Sequence, residues 1–144
     1  MKMFDTRTGV EVIERKECLA LLADEVIGRI GILDGHHPLV LPVNYALDGD
    51  AIVFRSGPGT KLSASKGGPA CFEVDHHDRS DRSGWSVVVR GRLEEVTHFD
   101  PELYARVEDL AEPWLPGERP HILRLAPAVI SGRRVPARQP AEVG

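Results

Sequence analysis

Apolar and polar positions alternate along several short stretches of this chain, and each such stretch predicts a half-buried β-strand. From Val26 to Leu33, the residues Val26, Gly28, Ile30 and Ile32 share one face while Arg29 takes the other. Glycines at 28 and 31 leave room there for curvature or a close neighbour. Pro69 to Asp75 sets Phe72 and Val74 against Cys71 and Glu73, which turns Glu73 toward a rim or groove. The longest pattern, Gly84 to Thr97, places Trp85, Val87, Val89 and Leu93 on one side and Ser86, Arg90, Arg92 and Glu94 on the other. One of those faces belongs to a core and the other meets something polar. His121 to Ala126 and Ala128 to Val135 predict two final strands, or one bent strand interrupted at Pro127.

Helical spacing appears at two further places. Glu14 to about Ala23 carries Cys18, Leu19, Leu21 and Leu22 as its apolar positions and charges in its first turn, a helix suited to capping one mouth of a barrel. Asp100 to about Glu112 has Asp100 as N-cap, Pro101 at the first position and Leu103, Val107 and Leu110 along one face; Pro113 and Pro116 end it. Short strands outnumber helices and do not alternate with them. That excludes a doubly wound parallel sheet and predicts a mainly β chain, an antiparallel β-barrel with a few helices.

The densest information lies between Pro42 and Leu62, PVNYALDGDAIVFRSGPGTKL. It predicts a strand, a tight turn at Asp48-Gly49-Asp50, a second strand, and a glycine loop opening a short helix from Lys61 to about Lys66 that Gly67-Gly68 stops. Pro58-Gly59 suits the centre of a type II turn, with Thr60 at the N-cap. The amides of the helix start and the Lys61 ammonium then describe a corner that binds phosphate, although a solvated turn with a surface lysine has the same spacing. No Walker order is present, so a nucleoside triphosphate is not the natural guest. Pro42 cannot donate to a ladder and predicts a sheet edge, either one protected against aggregation or one whose backbone groups serve a ligand.

Composition narrows the classes. A chain of 144 residues with 42% apolar content makes one domain with one core: an arm over residues 1–13, a domain over 14–135 and a flexible tail over 136–144. The net charge of -4, without a Lys/Arg block, argues against nucleic acid as a partner. Neither a membrane-length apolar run nor a signal-peptide pattern is found, so the expected location is cytoplasmic, with no membrane partner. Cys18 and Cys71 are expected as small buried residues rather than a disulfide. The run Asp75-His76-His77-Asp78 invites a metal, but neighbouring side chains on extended backbone point apart and no second ligand pair follows; no metal is expected. Four of the chain's eighteen cations are lysines, against fourteen arginines, so a lysine at position 61 is less easily dismissed as surface filler.

Four pieces taken in order, CLALLADEVIGRIGI, PVNY, IVFRSGPGTKL, and ACFEVD followed by GWSVVVRGRLEEV, resemble the pyridoxamine 5'-phosphate oxidase-like split barrels, in particular the small bacterial branch with the nitroimidazole reductases. The resemblance spans about Cys18 to Arg134. It implies a six-stranded antiparallel split barrel of Greek-key type, a homodimer with cofactor sites between subunits, and FMN as cofactor. Carried onto this chain, it nominates Pro42, Val43 and Asn44 for the flavin ring and Arg55, Ser56, Thr60 and Lys61 for the phosphate. Trp85 and Ser86 would reach the flavin held mainly by the partner subunit, while Trp85 also suits an ordinary core aromatic. An arginine of the closing Gly132-Arg133 lies near the active-site mouth in such proteins. The implied function is an FMN-dependent oxidoreductase acting on a small planar substrate. The alternatives are an F420-dependent reductase on the same fold and a non-catalytic flavin-binding or redox-sensing protein. Flavin carries its own redox chemistry, so no catalytic side chain is required and none is assigned.

Overall fold

The structure, a computed structural model, describes residues 3–5, 7–110, 112, 113, 117 and 119–138. In chain order its elements are β1 (Met3–Phe4), β2 (Glu11–Ile13), α1 (Arg15–Asp24), β3 (Ile27–Asp34), β4 (His37–Asn44), β5 (Ala46–Asp48), β6 (Ala51–Ser56), α2 (Lys61–Ala64), β7 (Pro69–Asp78), β8 (Ser83–Val96), α3 (Pro101–Val107) and β9 (His121–Val135). All pairings are antiparallel, in the order β1-β2-β9-β8-β7-β3-β4, with β5 and β6 branching from β9 through a β6–β9 ladder. This is a split barrel. Nine strands are described where the resemblance implied six; β1, β2 and β5 are only two or three residues long.

Alternation in the strands sorts side chains as the pattern predicts. Ile30 and Ile32 of β3, Ile52 and Phe54 of β6, Phe72 and Val74 of β7, Val87, Val89 and Leu93 of β8, and Leu123 and Leu125 of β9 fill one core. Gly28 makes room for it: a Cβ there would sit 2.0 Å from Cζ of Phe72. From α1, Cys18 and Leu22 close one side of this core, and the Tyr45 hydroxyl donates to the Leu22 carbonyl. Burial, with Glu25 nearby, pushes the Tyr45 phenol above its ordinary range. A second, smaller cluster of Val53, Val96, Val107 and Ile122 lies under α3, whose Asp100 accepts the Leu103 amide at 3.1 Å as the expected N-cap.

β9 is one strand rather than two. Its register against β8 shifts between Arg90 and Gly91, where Ala128 has no opposite number beside Pro127. Its first half pairs with β6 and its last residues with β2, so β9 joins both halves of the molecule. Three local expectations need correction. Cys71 is exposed, because it shares the outward face of β7 with Glu73, whereas Cys18 is buried as expected. Val26 precedes β3 and is exposed. α3 stops at Val107, since the Leu110 amide turns back to the Val107 carbonyl at 3.1 Å, and Leu110 is left exposed. Among the described residues no helix is long and apolar enough to cross a membrane.

Asp48 ties these parts together. Its side chain is only 8% exposed and accepts from Arg106 Nε at 2.7 Å and from Arg124 Nε at 3.2 Å, linking β5 to α3 and β9. The Arg106 hydrogen bonds, aided by Arg124, hold the Asp48 carboxyl below the ordinary carboxylate range. In the window between that lowered value and about 3.9, the unfolded chain binds more protons, so stability rises with pH there. The contribution is complete above about pH 3.9 and is lost as pH falls through the folded value. Asp48→Asn is therefore expected to lower stability at pH 7 by about 1.5 to 3 kcal/mol and to flatten the acid limb of a urea-midpoint profile between pH 6 and 3. An acid limb unchanged by the substitution would remove Asp48 from that role.

Candidate functional site

β4 is laddered to β3 along its whole length and, among the described residues, to no strand on its other side, while β6 is laddered to β5 and β9. The barrel is open between β4 and β6. Two prolines explain why. Pro38 and Pro42 lie four residues apart, in the same phase, and a proline occupies ladder positions whose backbone faces away from the neighbour. The Tyr45 amide bonds the Val26 carbonyl at 3.1 Å on the β3 side, which agrees with that phase. Backbone groups of Val40, Pro42 and Asn44 therefore face the opening, not β3.

A groove of about 420 Å³ occupies this opening. Leu41, Pro42, Val43 and Asn44 of β4 line one side, and Arg55, Ser56 and Gly57 the other; Thr60 and Leu62 come from the glycine loop and α2, and Pro113 and Arg119 complete the wall. It is thus apolar along β4 and cationic and hydroxylic at the loop, with a volume in the range of small-molecule sites. At the loop end, Gly59 takes φ +69, as the Pro58-Gly59 turn requires. Thr60 Oγ1 donates to the Gly57 carbonyl at 3.0 Å, folding the loop onto itself. The Arg55 guanidinium donates one hydrogen bond to the Glu108 carbonyl at the end of α3 and keeps four further donors. On its far side, Arg55 also lines a second cavity of about 360 Å³ with Glu108, Asp109, Glu112 and Pro113.

Of the residues nominated from the sequence, Pro42, Val43, Asn44, Arg55, Ser56 and Thr60 converge on this groove. Lys61 is not in its wall: its ammonium lies 2.5 Å from Asp34 Oδ2, on an exposed pair. The helix expected from Lys61 to about Lys66 is also shorter. α2 is four residues long, because the Ser65 and Gly68 amides turn back three residues and the Gly67 amide bonds Leu93. One turn sums few peptide dipoles, so the guanidinium and hydroxyl groups dominate this end. Lys66 pairs with Glu95 at 3.1 Å.

Trp85 and Ser86 lie elsewhere, in a groove of about 470 Å³ on β7, β8 and β9 with His76, His77 and Arg133. The His76 and Trp85 rings are 6.5 Å apart, and Trp85 also packs on the main core. Beside that groove, Arg29 holds Glu73 and Asp75, each at 3.1 Å, on the outer face. Burial and the neighbouring Asp75 raise the Glu73 carboxyl to about 7 despite Arg29. Among the described residues no group of three His, Cys, Asp or Glu gathers as a metal site.

Sequence reasoning missed Arg119, Pro113 and Leu62. Arg119 was reachable in principle: Ser56 pairs with His121, so the residues just before β9 arrive beside the loop after β6. That register is a long-range fact with no local signal.

The chain matches the pyridoxamine 5'-phosphate oxidase family over residues 14–134. An uncharacterised protein of Mycobacterium tuberculosis is 33% identical over 135 residues, 88% of each chain. The FAD-binding protein of Mycobacterium smegmatis is 33% identical with a TM-score of 0.73, covering 85% of this chain and 96% of that one. An FAD-binding protein of Mesorhizobium loti is 25% identical with a TM-score of 0.67, covering 87% and 96%. The chain therefore belongs to the pyridoxamine 5'-phosphate oxidase family.

Proposed function

We propose that the groove between β4 and β6 holds a flavin and that the protein is a flavin-dependent oxidoreductase acting on a small planar substrate. The observation that carries this reading is the unladdered edge of β4. An isoalloxazine ring needs an apolar wall beside a row of hydrogen-bonding groups for its pyrimidine edge, and Leu41, Val43 and the outward backbone of Pro42 and Asn44 supply both. The ribityl phosphate then falls at the loop, where Ser56 and Thr60 offer hydroxyls and Arg55 a guanidinium. FMN is the smallest flavin with every group this groove addresses. The two solved relatives described as FAD-binding support a flavin here. The deazaflavin F420 fits less well, because its acidic tail would leave past Arg55 into the carboxylates of Glu108, Asp109 and Glu112. Flavin supplies two-electron chemistry when bound; the chain binds it, orients it and shapes the substrate's place.

In this reading Arg55, rather than Lys61, carries the phosphate. A charge-assisted contact contributes about 1.5 to 3 kcal/mol, so Arg55→Gln is expected to weaken FMN binding about tenfold to more than a hundredfold and to spare riboflavin, which lacks the phosphate. Lys61→Ala is expected to change neither by more than about twofold. Fluorescence titration of the apo-protein decides: equal weakening of FMN and riboflavin by Arg55→Gln sinks the assignment, and a larger effect of Lys61→Ala returns the phosphate to the lysine.

The Trp85–Ser86 groove belongs to the same proposal through a homodimer, in which one subunit's Trp85 face covers the open groove of the other. The outer face of β3 and β4 leaves Leu33 and Val40 more than half exposed, as an uncovered surface would. Sedimentation at low micromolar concentration should give twice the 15.8 kDa chain mass. A monomer there contradicts the shared site.

A further inference from the structure

The seam between β4 and β6 is bounded by different means at its two ends. At one end stands a ladder: Ala46 pairs with Val53, and the same register carried on sets Asn44 across from Arg55 and Val43 across from Ser56, where the groove lies. At the other end stands an ion pair. Asp34 faces His37 at the start of β4, and its carboxylate receives the Lys61 ammonium from the start of α2 at 2.5 Å. Between these ends the wall opposite β4 leaves the sheet. β6 is laddered to β9 as far as Ser56, and residues 57–66 then run outside any described ladder until the Gly67 amide and the Gly68 carbonyl pair with Leu93.

We propose that residues 57–66 are a flap over the seam and that Lys61–Asp34 is its latch. The flap supplies Gly57, Thr60 and Leu62 to the groove, so its position sets the groove's width. Buried Leu62 gives it a pivot in the core, and Gly67, at φ +84, gives it a hinge in a conformation that costs other residues strain. Two of its hydrogen bonds are internal, Thr60 Oγ1 to the Gly57 carbonyl at 3.0 Å and Ser65 Oγ to the Lys61 carbonyl at 2.7 Å, and they let it move as one piece. The latch is weak by construction. Its side chains are 61% and 44% exposed, and ion pairs so exposed contribute little, open readily and are screened by salt. Neither residue lines the groove, so a ligand there neither strengthens nor weakens the pair. Opening it therefore speeds entry and exit by the same factor and leaves affinity unchanged, which the loss of a phosphate ligand at Lys61 would not do. The consequence for ligand exchange rests on the flavin reading above; the latch itself does not.

Stopped-flow fluorescence on the full-length apo-protein, with FMN and with riboflavin, reads both rate constants. Asp34→Asn and Lys61→Ala should each raise association and dissociation of both ligands about two- to fivefold, with Kd held within about twofold. The exchanged pair, Asp34→Lys with Lys61→Asp, should restore the original rates. High salt should raise the riboflavin rates of the unsubstituted protein and not those of Asp34→Asn. Unchanged rates in both single variants, or faster dissociation of FMN alone, overturn the latch and leave the flavin reading standing. If neither ligand binds, the flavin reading fails and amide hydrogen exchange decides the latch: residues 59–64 should exchange faster in Asp34→Asn than in the unsubstituted protein, and equal exchange overturns it.

Discussion

Everything about this site depends on β4 having a neighbour on one side only. A closed antiparallel barrel would satisfy the β4 backbone with a ladder to β6 and leave no groove. Pro38 and Pro42 prevent that closure, because at their phase the strand lacks two of the amides a second ladder needs. The chain instead turns β6 away through the β5–β6 hairpin and pairs it with β9. The opening is thereby a product of backbone chemistry, and its edge remains addressable by a ligand.

Such an opening must be held apart, and the holding groups lie around it. Asp48, nearly buried at the hairpin, joins α3 and β9 through Arg106 and Arg124. Arg55 leans on the Glu108 carbonyl and so couples the groove wall to the end of α3. The Tyr45 hydroxyl fixes the exit of β4 to α1. On the loop side, the Gly67 amide and the Gly68 carbonyl pair with Leu93 of β8, which sets the height of Thr60 and Leu62 above the barrel. These contacts tie the walls of the seam to the elements around it, the kind of support a site needs to bind without reorganising.

The strands were legible because their alternation is local: β3, β7 and β8 bury the faces that their sequences present. So were the edge role of Pro42 and the turn at Gly59, since proline and glycine act on their own backbone. What the sequence does not show is non-local. Lys61 stands beside the glycine loop in sequence, but its pairing with Asp34, 27 residues earlier, arises only in the fold and carries no local signal. Arg119 carried no motif and enters the groove through the β6–β9 register. Residue type alone places Cys71 in a core, whereas the phase of Phe72 and Val74 turns it outward. Trp85 packs on the core, as its reading as a core aromatic expects, and also lines a groove that no β4 residue lines.

The proposed place of the cofactor is the seam between β4 and β6. Amide hydrogen exchange, followed by mass spectrometry on the protein with and without saturating flavin, tests it without presuming any residue's role. The account predicts that flavin slows exchange chiefly in peptides covering residues 40–44 and 55–60, the two walls of the opening. Protection confined to residues 84–86 and 131–135, with no change along β4 and β6, would contradict it.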